Sequence, residues 1–253
     1  MNLGKDVRSE GKVQVYRAGR RTDPRNMGLA GSPYGSWSDA NLIKGETLAE
    51  ALRWVEPQQN PWRLRILDCR PYTLTSTSIT NDPLTAESFA NLRNSVGSQH
   101  KGQSPANASR LDCDLRYPFN EQSSDGPLFV ADVMEDKWDI YLYDKHLYFA
   151  RSWSGDLRLR ARVDFAAPDV RIHWIEAELR DDYEDPVFTV STVDFLVKSH
   201  LYRREVPHPI PERFSDNPQK LAKFSMSLFG RWASFARIGD TTGIRLAAND
   251  ITG

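Results

Sequence analysis

Four consecutive segments of alternating apolar and polar residues constrain the fold of this chain more than any other feature of the sequence. Such alternation predicts β-strands, because successive side chains of a strand point to opposite faces of a sheet. The connections between the segments are only two to four residues long, and connections this short join antiparallel neighbours. The sequence therefore predicts an antiparallel meander at about 138–179, built from the segments WDIYLY, LYFARSW, LRLRARVDF and VRIHWIEAEL.

One face of the predicted meander is hydrophobic. Turns of two, three and four residues place Phe149, Val163 and Trp174 on this face, where each opposes another apolar side chain. The exception is Arg151, which the same register places opposite Trp138 near the rim. A hydrophobic sheet face has to be buried, so other elements are expected to pack on it.

Two segments after the sheet predict the helices that cover this face. One helix is expected from about 188 to 204, where valines recur one helical turn apart. The other begins at Asn217, a capping residue, with Pro218 at the first helical position. It continues through QKLAKFSMSLFGRWASFARI to residue 238, with Trp232 on its apolar stripe. We therefore predict an α+β fold, in which an antiparallel meander sheet is covered on one face by C-terminal helices beside a looser N-terminal α/β lobe.

The first half of the chain gives weaker patterns. A short helix is expected at about 46–56, a strand at 62–67, and a helix that begins at Asp82 and Pro83. Polar and glycine-rich stretches then predict the boundaries, and the two lobes can also form one continuous domain. The predicted parts are a basic, glycine-rich arm at 1–35, an N-terminal lobe at 36–125 and a sheet-and-helix lobe at 126–253.

Charge, cysteine content and hydropathy exclude several classes of protein. The chain has 33 Lys and Arg against 34 Asp and Glu, so it is not a uniformly basic nucleic-acid-binding protein. Its two cysteines are too few for a disulfide framework. No run of about 18 apolar residues or secretory signal pattern occurs. We therefore expect a soluble, cytoplasmic protein with no membrane partner.

The polar face of the predicted sheet is the candidate site. The register places Tyr141 opposite Tyr148, Tyr148 opposite Arg162, and Arg162 opposite His173. Tyrosines stack and donate hydrogen bonds, and guanidinium groups bind phosphate or carboxylate. Charges over 138–179 nearly balance, so a solvated face, or one covered by the N-terminal lobe, is the alternative. The predicted ligand-binding residues are Tyr141, Tyr148, Arg160, Arg162 and His173.

No motif for catalysis, a metal or a cofactor stands out in the sequence. The five histidines lack ligand spacing, and neither a phosphate-binding glycine loop nor a nucleophile elbow occurs. We therefore expect no metal and no cofactor. The catalytic residues of any reaction stay unknown at this point.

Binding or protein interaction through the Tyr/Arg/His face is thus favoured over catalysis, with a protein or peptide partner favoured over a nucleotide or nucleic acid. The alternative is a hydrolase or transferase with a site between the lobes, drawing on His100, Cys113 and the acids at 181–185. Geometry separates the two hypotheses. An enzyme should have a deep cleft with perturbed titratable groups, whereas a binding protein should have a flat exposed face.

Overall fold

A computed structural model of the chain describes residues 51–119, 124–179 and 185–238. These residues form ten strands and four α-helices, and a π-helical turn at Val197–Leu201 extends the third helix. The helices are α1 (Arg70–Thr73), α2 (Pro83–Leu92), α3 (Pro186–Leu196) and α4 (Pro218–Phe229). The strands are β1 (Arg53–Val55), β2 (Ile66–Asp68), β3 (Ser109–Pro118), β4 (Gly126–Phe129), β5 (Trp138–Tyr143), β6 (His146–Arg151), β7 (Leu157–Ala166), β8 (Asp169–Ala177), β9 (His208–Ile210) and β10 (Phe235–Ile238).

The large sheet has six antiparallel strands in the order β3-β8-β7-β6-β5-β4. The predicted meander forms its centre, and β3 and β4 add one strand at each edge. Its inward face packs against α3, whose Val190, Val193 and Leu196 are fully buried in the same core as Phe149 and Ile172 of the sheet. The predicted α+β class is therefore confirmed, as is the cover of one face by C-terminal helices.

The small sheet has four strands in the order β1-β2-β10-β9. Strand β2 is antiparallel to β1 and to β10, and β9 is parallel to β10. Strand β3 belongs to the large sheet and β2 to the small one, so both sheets contain strands from before and after the predicted boundary at 125/126. Such sharing is expected of one continuous domain.

The predicted helices after the sheet are largely observed. Asp185 caps α3, and the Asn217 side chain accepts a hydrogen bond from the backbone N–H of Lys220 at the start of α4. Helix α4 ends earlier than predicted, at Phe229, because the next residue, Gly230, has a φ of 63° that breaks the helical path. A Cβ at Gly230 would lie 1.7 Å from the carbonyl oxygen of Glu135, so only glycine fits there.

Two helical predictions are wrong because strand pairing overrides local pattern. Residues 53–55 of the predicted 46–56 helix form β1, while 46–50 lie outside the described residues. Residues 235–238, on the predicted last helix, form β10 and pair with β2. The helix at Asp82 and Pro83 is confirmed as α2, with Asp82 as its cap.

The predicted register of the large sheet is correct for its first hairpin and partly wrong beyond it. Tyr141 pairs with Tyr148 as predicted, but Tyr148 pairs with Arg160 and not with Arg162. Between β7 and β8 the register shifts at His173, which adds one residue to β8. Arg162 therefore pairs with Trp174, whose side chain lies on the polar face rather than in the core.

No helix in the described parts of the chain is long and apolar enough to cross a membrane. The predicted basic arm at 1–35 lies outside the described residues.

Candidate functional site

The tyrosine end of the polar sheet face is covered by the segment 96–103. Tyr141 and Tyr148 are at most 1% exposed. The backbone N–H of Gly102 donates to the hydroxyl oxygen of Tyr148 at 2.9 Å. Gly97, with a φ of 76°, lies against the Tyr141 ring so closely that a Cβ would be 2.2 Å from Cδ1. These two predicted site residues are therefore covered by another segment of the same chain and are not open to a ligand. This end of the sheet fits the alternative of a covered face.

The other three predicted site residues lie on the part of the face that stays partly exposed. Arg160 Nη2 is 2.7 Å from a carboxylate oxygen of Glu176. Arg162 and His173 share one carboxylate, since Asp164 lies 3.5 Å from the guanidinium and 2.7 Å from the imidazole. The charges of the two arginines are thus met inside the protein, as the near balance of charge along the strands predicts.

Trp174 lies in the middle of this exposed part. The guanidinium carbons of Arg110 and Arg160 are 4.9 and 5.5 Å from its ring centroid, and the His146 ring is 5.6 Å away. The register shift at His173 is what turns Trp174 to this face. The sequence carries a signal for this shift, since the isoleucines at 172 and 175 are three positions apart and strict alternation would place them on opposite faces. In the structure both are buried in the core.

Two residues of the predicted enzyme alternative, His100 and Cys113, lie on opposite faces of the large sheet. His100 is packed against Tyr141 on the polar face, and Cys113 lies in the core on the opposite face. Burial raises the pKa of the Cys113 thiol to about 12, which disfavours the reactive thiolate. Asp185 caps α3, and the acids at 181–184 lie outside the described residues. Within the described ranges, no group of His, Cys, Asp and Glu could hold a metal ion.

A cleft of about 740 Å³ lies at the end of the large sheet where β5 and β7 begin and β6 and β8 end. Helices α3 and α4 form its second wall, and residues 77–79 border it from the N-terminal half of the chain. Its volume falls within the range of about 300–1,000 Å³ that is typical of small-molecule sites. The sheet contributes Trp138, Arg151, Arg158 and Leu159, the β6–β7 connection contributes Trp153, and the helices contribute Phe188, Thr192, Lys223, Met226 and Leu228.

Two tryptophan rings of the lining are fixed by hydrogen bonds. The indole N–H of Trp138 donates to the carbonyl oxygen of Leu228 at 2.7 Å, and that of Trp153 donates to the carbonyl oxygen of Met134 at 2.8 Å. On the helix side, the buried Thr192 hydroxyl has no hydrogen-bond partner in the described structure. The cleft thus combines rigid aromatic walls with an unused polar group.

Two desolvated cations stand beside these rings. The Lys137 ammonium is 4.1 Å from the Trp153 ring centroid and donates to Ser78 Oγ and to the Met134 carbonyl oxygen, both at 2.8 Å. Arg151 lies over Trp138 and donates to the carbonyl oxygens of Leu228 and Ser227, which close the last turn of α4. Neither side chain has an ion-pair partner among the described residues.

Electrostatics at these two cations follow from burial. Burial and the neighbouring charge of Arg151 lower the pKa of Lys137 to about 8, against the opposing effect of Glu135 and Asp136. Burial also lowers the pKa of Arg151, and Arg158 adds to that effect, whereas the charge of Asp156 opposes it. Both cations therefore pay a desolvation cost that no carboxylate in contact offsets.

Sequence reasoning missed this cleft because its lining comes from separate strands, helices and a loop. A signal was present in Arg151, the exception on the predicted apolar face, and in the tryptophans that flank it. The β-bulge at Arg158, where Ala150 pairs with Leu157 while Phe149 pairs with Leu159, has no signal in the alternation. Bulges re-aim side chains at sheet ends, and this one lies on the cleft.

Comparison with known proteins adds no assignment. No family model, curated protein or solved structure matches the chain. Function is therefore inferred from the chemistry of the two surfaces described above, the cleft and the exposed part of the polar face.

Proposed function

We propose that this is a binding protein whose ligand is a small organic molecule held in the cleft at the end of the large sheet. The observation that carries this proposal is the lining itself. Trp138 and Trp153 supply rigid apolar surface, while Lys137 and the Thr192 hydroxyl supply polar groups beside it. Small-molecule sites are mostly apolar concavities with a few well-placed polar groups and perturbed pKa values, and the cleft has both.

Displacement by a bulky side chain tests this proposal. Ser227 is exposed on α4 and lines the cleft, so Ser227→Trp should fill the mouth without disturbing the core. Lys220→Trp, at an exposed position of the same helix outside the lining, is the matched control. We expect fragments from a ligand-observed NMR screen to bind the wild type and Lys220→Trp, and to lose binding to Ser227→Trp. Fragments that bind all three chains alike, or an absence of hits, would count against the proposal.

Docking of a protein or peptide on the exposed part of the polar face is a second proposal, favoured by the environment of Trp174. Tryptophan and arginine are enriched in the residues that dominate binding energy at interfaces, and here Arg110 and Arg160 flank the indole. Quantitative affinity purification with wild type and folded Trp174→Ala tests it, since a specific partner must be lost from the variant.

A cytoplasmic location belongs to the same proposal and is supported by two free, buried cysteines.

A further inference from the structure

We infer that the ligand of the cleft is a planar organic anion, with a carboxylate or phosphate group directed at Lys137, Arg151 and Lys223 and a ring held among the apolar side chains. This inference rests on the proposed function, because it names the ligand class of the same site. It is carried by three observations, namely the charge of the lining, the unused hydrogen-bond donors and the fixed positions of Lys137 and Arg151.

The lining carries more positive than negative charge. Four of its side chains are cationic and two are carboxylates, Asp156 and Glu178. Lys137, Arg151 and Lys223 have no ion-pair partner among the described residues, and Lys137 is only 6% exposed. A cation removed from water without a counter-charge is unfavourable, so an anion entering the cleft would supply the missing charge.

Hydrogen-bond donors of these cations also remain unused. An ammonium group has three N–H donors and a guanidinium group has five. Lys137 uses two donors, on Ser78 and Met134, and Arg151 uses two, on Leu228 and Ser227. In the described structure the side-chain ammonium of Lys223 makes no hydrogen bond. Carboxylate and phosphate oxygens accept several such bonds at once, which a neutral ligand does less well.

Two of the three cations, Lys137 and Arg151, are held in place before any ligand arrives. Lys137 is fixed by its two hydrogen bonds and by the ring of Trp153, and Arg151 by the end of α4 and the ring of Trp138. Binding therefore does not have to order these long side chains, a cost that weakens most surface sites. The same indole rings, with Leu159 and Met226, offer apolar surface to the body of the ligand.

A matched set of probes tests the charge of the ligand. The set consists of 2-naphthoate and 2-naphthyl phosphate as anions, 2-naphthamide as the neutral analogue, and 2-naphthylmethylamine as the cation, each titrated by NMR. We expect at least one anion to bind wild type about tenfold more tightly than the amide, since hydrogen bonds to charged groups are the stronger ones. The amine should bind most weakly, and added salt should reduce the preference.

Variants locate the preference. Lys223→Gln removes an exposed cation of the lining and should reduce affinity for the anion several-fold without changing affinity for the amide. Lys220→Gln, on the same helix outside the cleft, should change neither. Lys137→Gln is a second variant, used if its thermal transition stays cooperative, and should abolish most of the preference.

The outcomes separate this inference from the proposed function. Equal or tighter binding of the amide or amine, or no binding of either anion, overturns the anion inference. The proposed function still stands if any compound binds in a way that Ser227→Trp blocks. An anion preference that survives in both Lys223→Gln and Lys137→Gln would also overturn the inference, because the preference would then arise elsewhere.

Discussion

Asp136 illustrates how this fold accommodates a charge that is wholly removed from water. Its carboxylate is 0% exposed and accepts two hydrogen bonds from Arg231, one from the indole of Trp232 and one from the backbone N–H of Asp132. Through these contacts it joins the loop before β5 to the segment after α4. The buried carboxylate is tolerated because both of its oxygens accept hydrogen bonds and because Arg231 carries the opposite charge.

Replacement of Asp136 should therefore be costly. Asp136→Asn leaves the largely buried Arg231 without its counter-charge, and we expect a loss of about 3–5 kcal/mol in the free energy of unfolding. The control is Asp132→Asn, whose carboxylate pairs with Arg93 in solvent and should contribute less than about 1 kcal/mol. Urea denaturation measures both. A small effect at Asp136 would mean that the pair contributes little.

His208 predicts how stability depends on pH. It is fully buried beside Ser225, with Nε2 and Oγ 2.7 Å apart, and burial together with Arg237 lowers its pKa to about 3. In the unfolded chain the His208 side chain has an ordinary pKa of about 6.5, so below that pH the unfolded state binds a proton that the folded state does not bind. Stability is therefore unaffected by His208 above about pH 6.5 and falls as the pH decreases from there towards 3.

Comparison of wild type with His208→Gln checks this. Between pH 7 and pH 5 the wild type should lose about 2 kcal/mol more stability than the variant, whose side chain cannot titrate. Between pH 7 and pH 8 the difference between the two should stay constant. Chemical denaturation across this range measures it, and parallel pH profiles down to pH 5 would show that His208 is protonated in the fold.

Among the elements, the segment 96–103 decides how much of the polar sheet face is open. Gly97 and Gly102 both have positive φ and both contact the sheet, but only at Gly97 would an added Cβ collide with it. The carbonyl oxygen of Val96 accepts a hydrogen bond from the Tyr143 hydroxyl at 2.7 Å, which adds a second attachment. The cover is thus held at several points along its length.

Gly97→Ala should displace this cover. The new methyl group would collide with the Tyr141 ring and add strain at positive φ, so we expect a loss of about 2–4 kcal/mol in stability. Gly102→Ala shares the positive φ but has open space around it, and should cost only about 1–2 kcal/mol. Denaturation measures the stability, and hydrogen exchange at residues 96–103 reports the displacement. Equal losses in the two variants would contradict the close packing.

Strand register shows why sequence reasoning succeeded for one hairpin and failed for the next. Asp144 and Lys145 both have positive φ, as in a tight two-residue turn, so counting from the turn gives the correct pairs. Beyond that hairpin, bulges at Arg158 and His173 add residues that alternation does not reveal. A shift of two residues leaves side chains on their predicted face, as for Arg160, whereas a shift of one moves Trp174 across the sheet.

Because the bulge at His173 places Ile175 and not Trp174 in the core, truncation of the smaller side chain should cost more stability than truncation of the larger one. Trp174→Ala removes a partly exposed ring and its contacts with two guanidinium groups, so a loss of about 1–2 kcal/mol is expected. Ile175→Ala empties a fully buried core position and should cost about 2–5 kcal/mol. Thermal and urea unfolding of both variants measure this. A larger loss of stability at Trp174 than at Ile175 would contradict the bulge and support the register predicted from the sequence.

For the whole molecule, α4 links the two sheets. Its first turns place Leu221 and Ala222 in the core of the small sheet, and its last residue, Phe229, lies in the core of the large sheet. Helix α3 likewise contacts β9 as well as β3. Neither sheet can lose its helical cover alone, because the same helices serve both cores.

We therefore expect the two sheets to unfold together. Native-state hydrogen exchange in low denaturant should give backbone amides of β2 and β6 the same free energy of opening, equal to that of global unfolding. Chemical denaturation supplies the global value. A lower opening free energy for β2 would mean that the small sheet is a separate cooperative unit.

The four central strands of the large sheet could be predicted from sequence, whereas its edge strands β3 and β4 and most of the small sheet could not. Hairpins of the large sheet, such as β5 with β6, join neighbours along the chain, so turn and alternation carry the information. In the small sheet, only Ile66 and Leu67 of the strand predicted at 62–67 are observed as strand, in β2. Strand β2 pairs with β10, which lies far away along the chain, and three-residue strands have too few positions for a period to fix their pairing. The cleft shares this property, since its lining combines Ser78, Trp138 and Lys223.

Because β10 lies between β2 and β9 in the small sheet, the nascent chain contains β2 before its second strand partner has been synthesised. At about 5–20 residues per second on the ribosome, β2 is made roughly ten to thirty seconds before β10 exists. In that interval Ile66 and Leu67, fully buried in the finished fold, have one strand edge without a partner. The meander can pair as it emerges, so holding chaperones are expected to act mainly on the nascent β1–β2 hairpin.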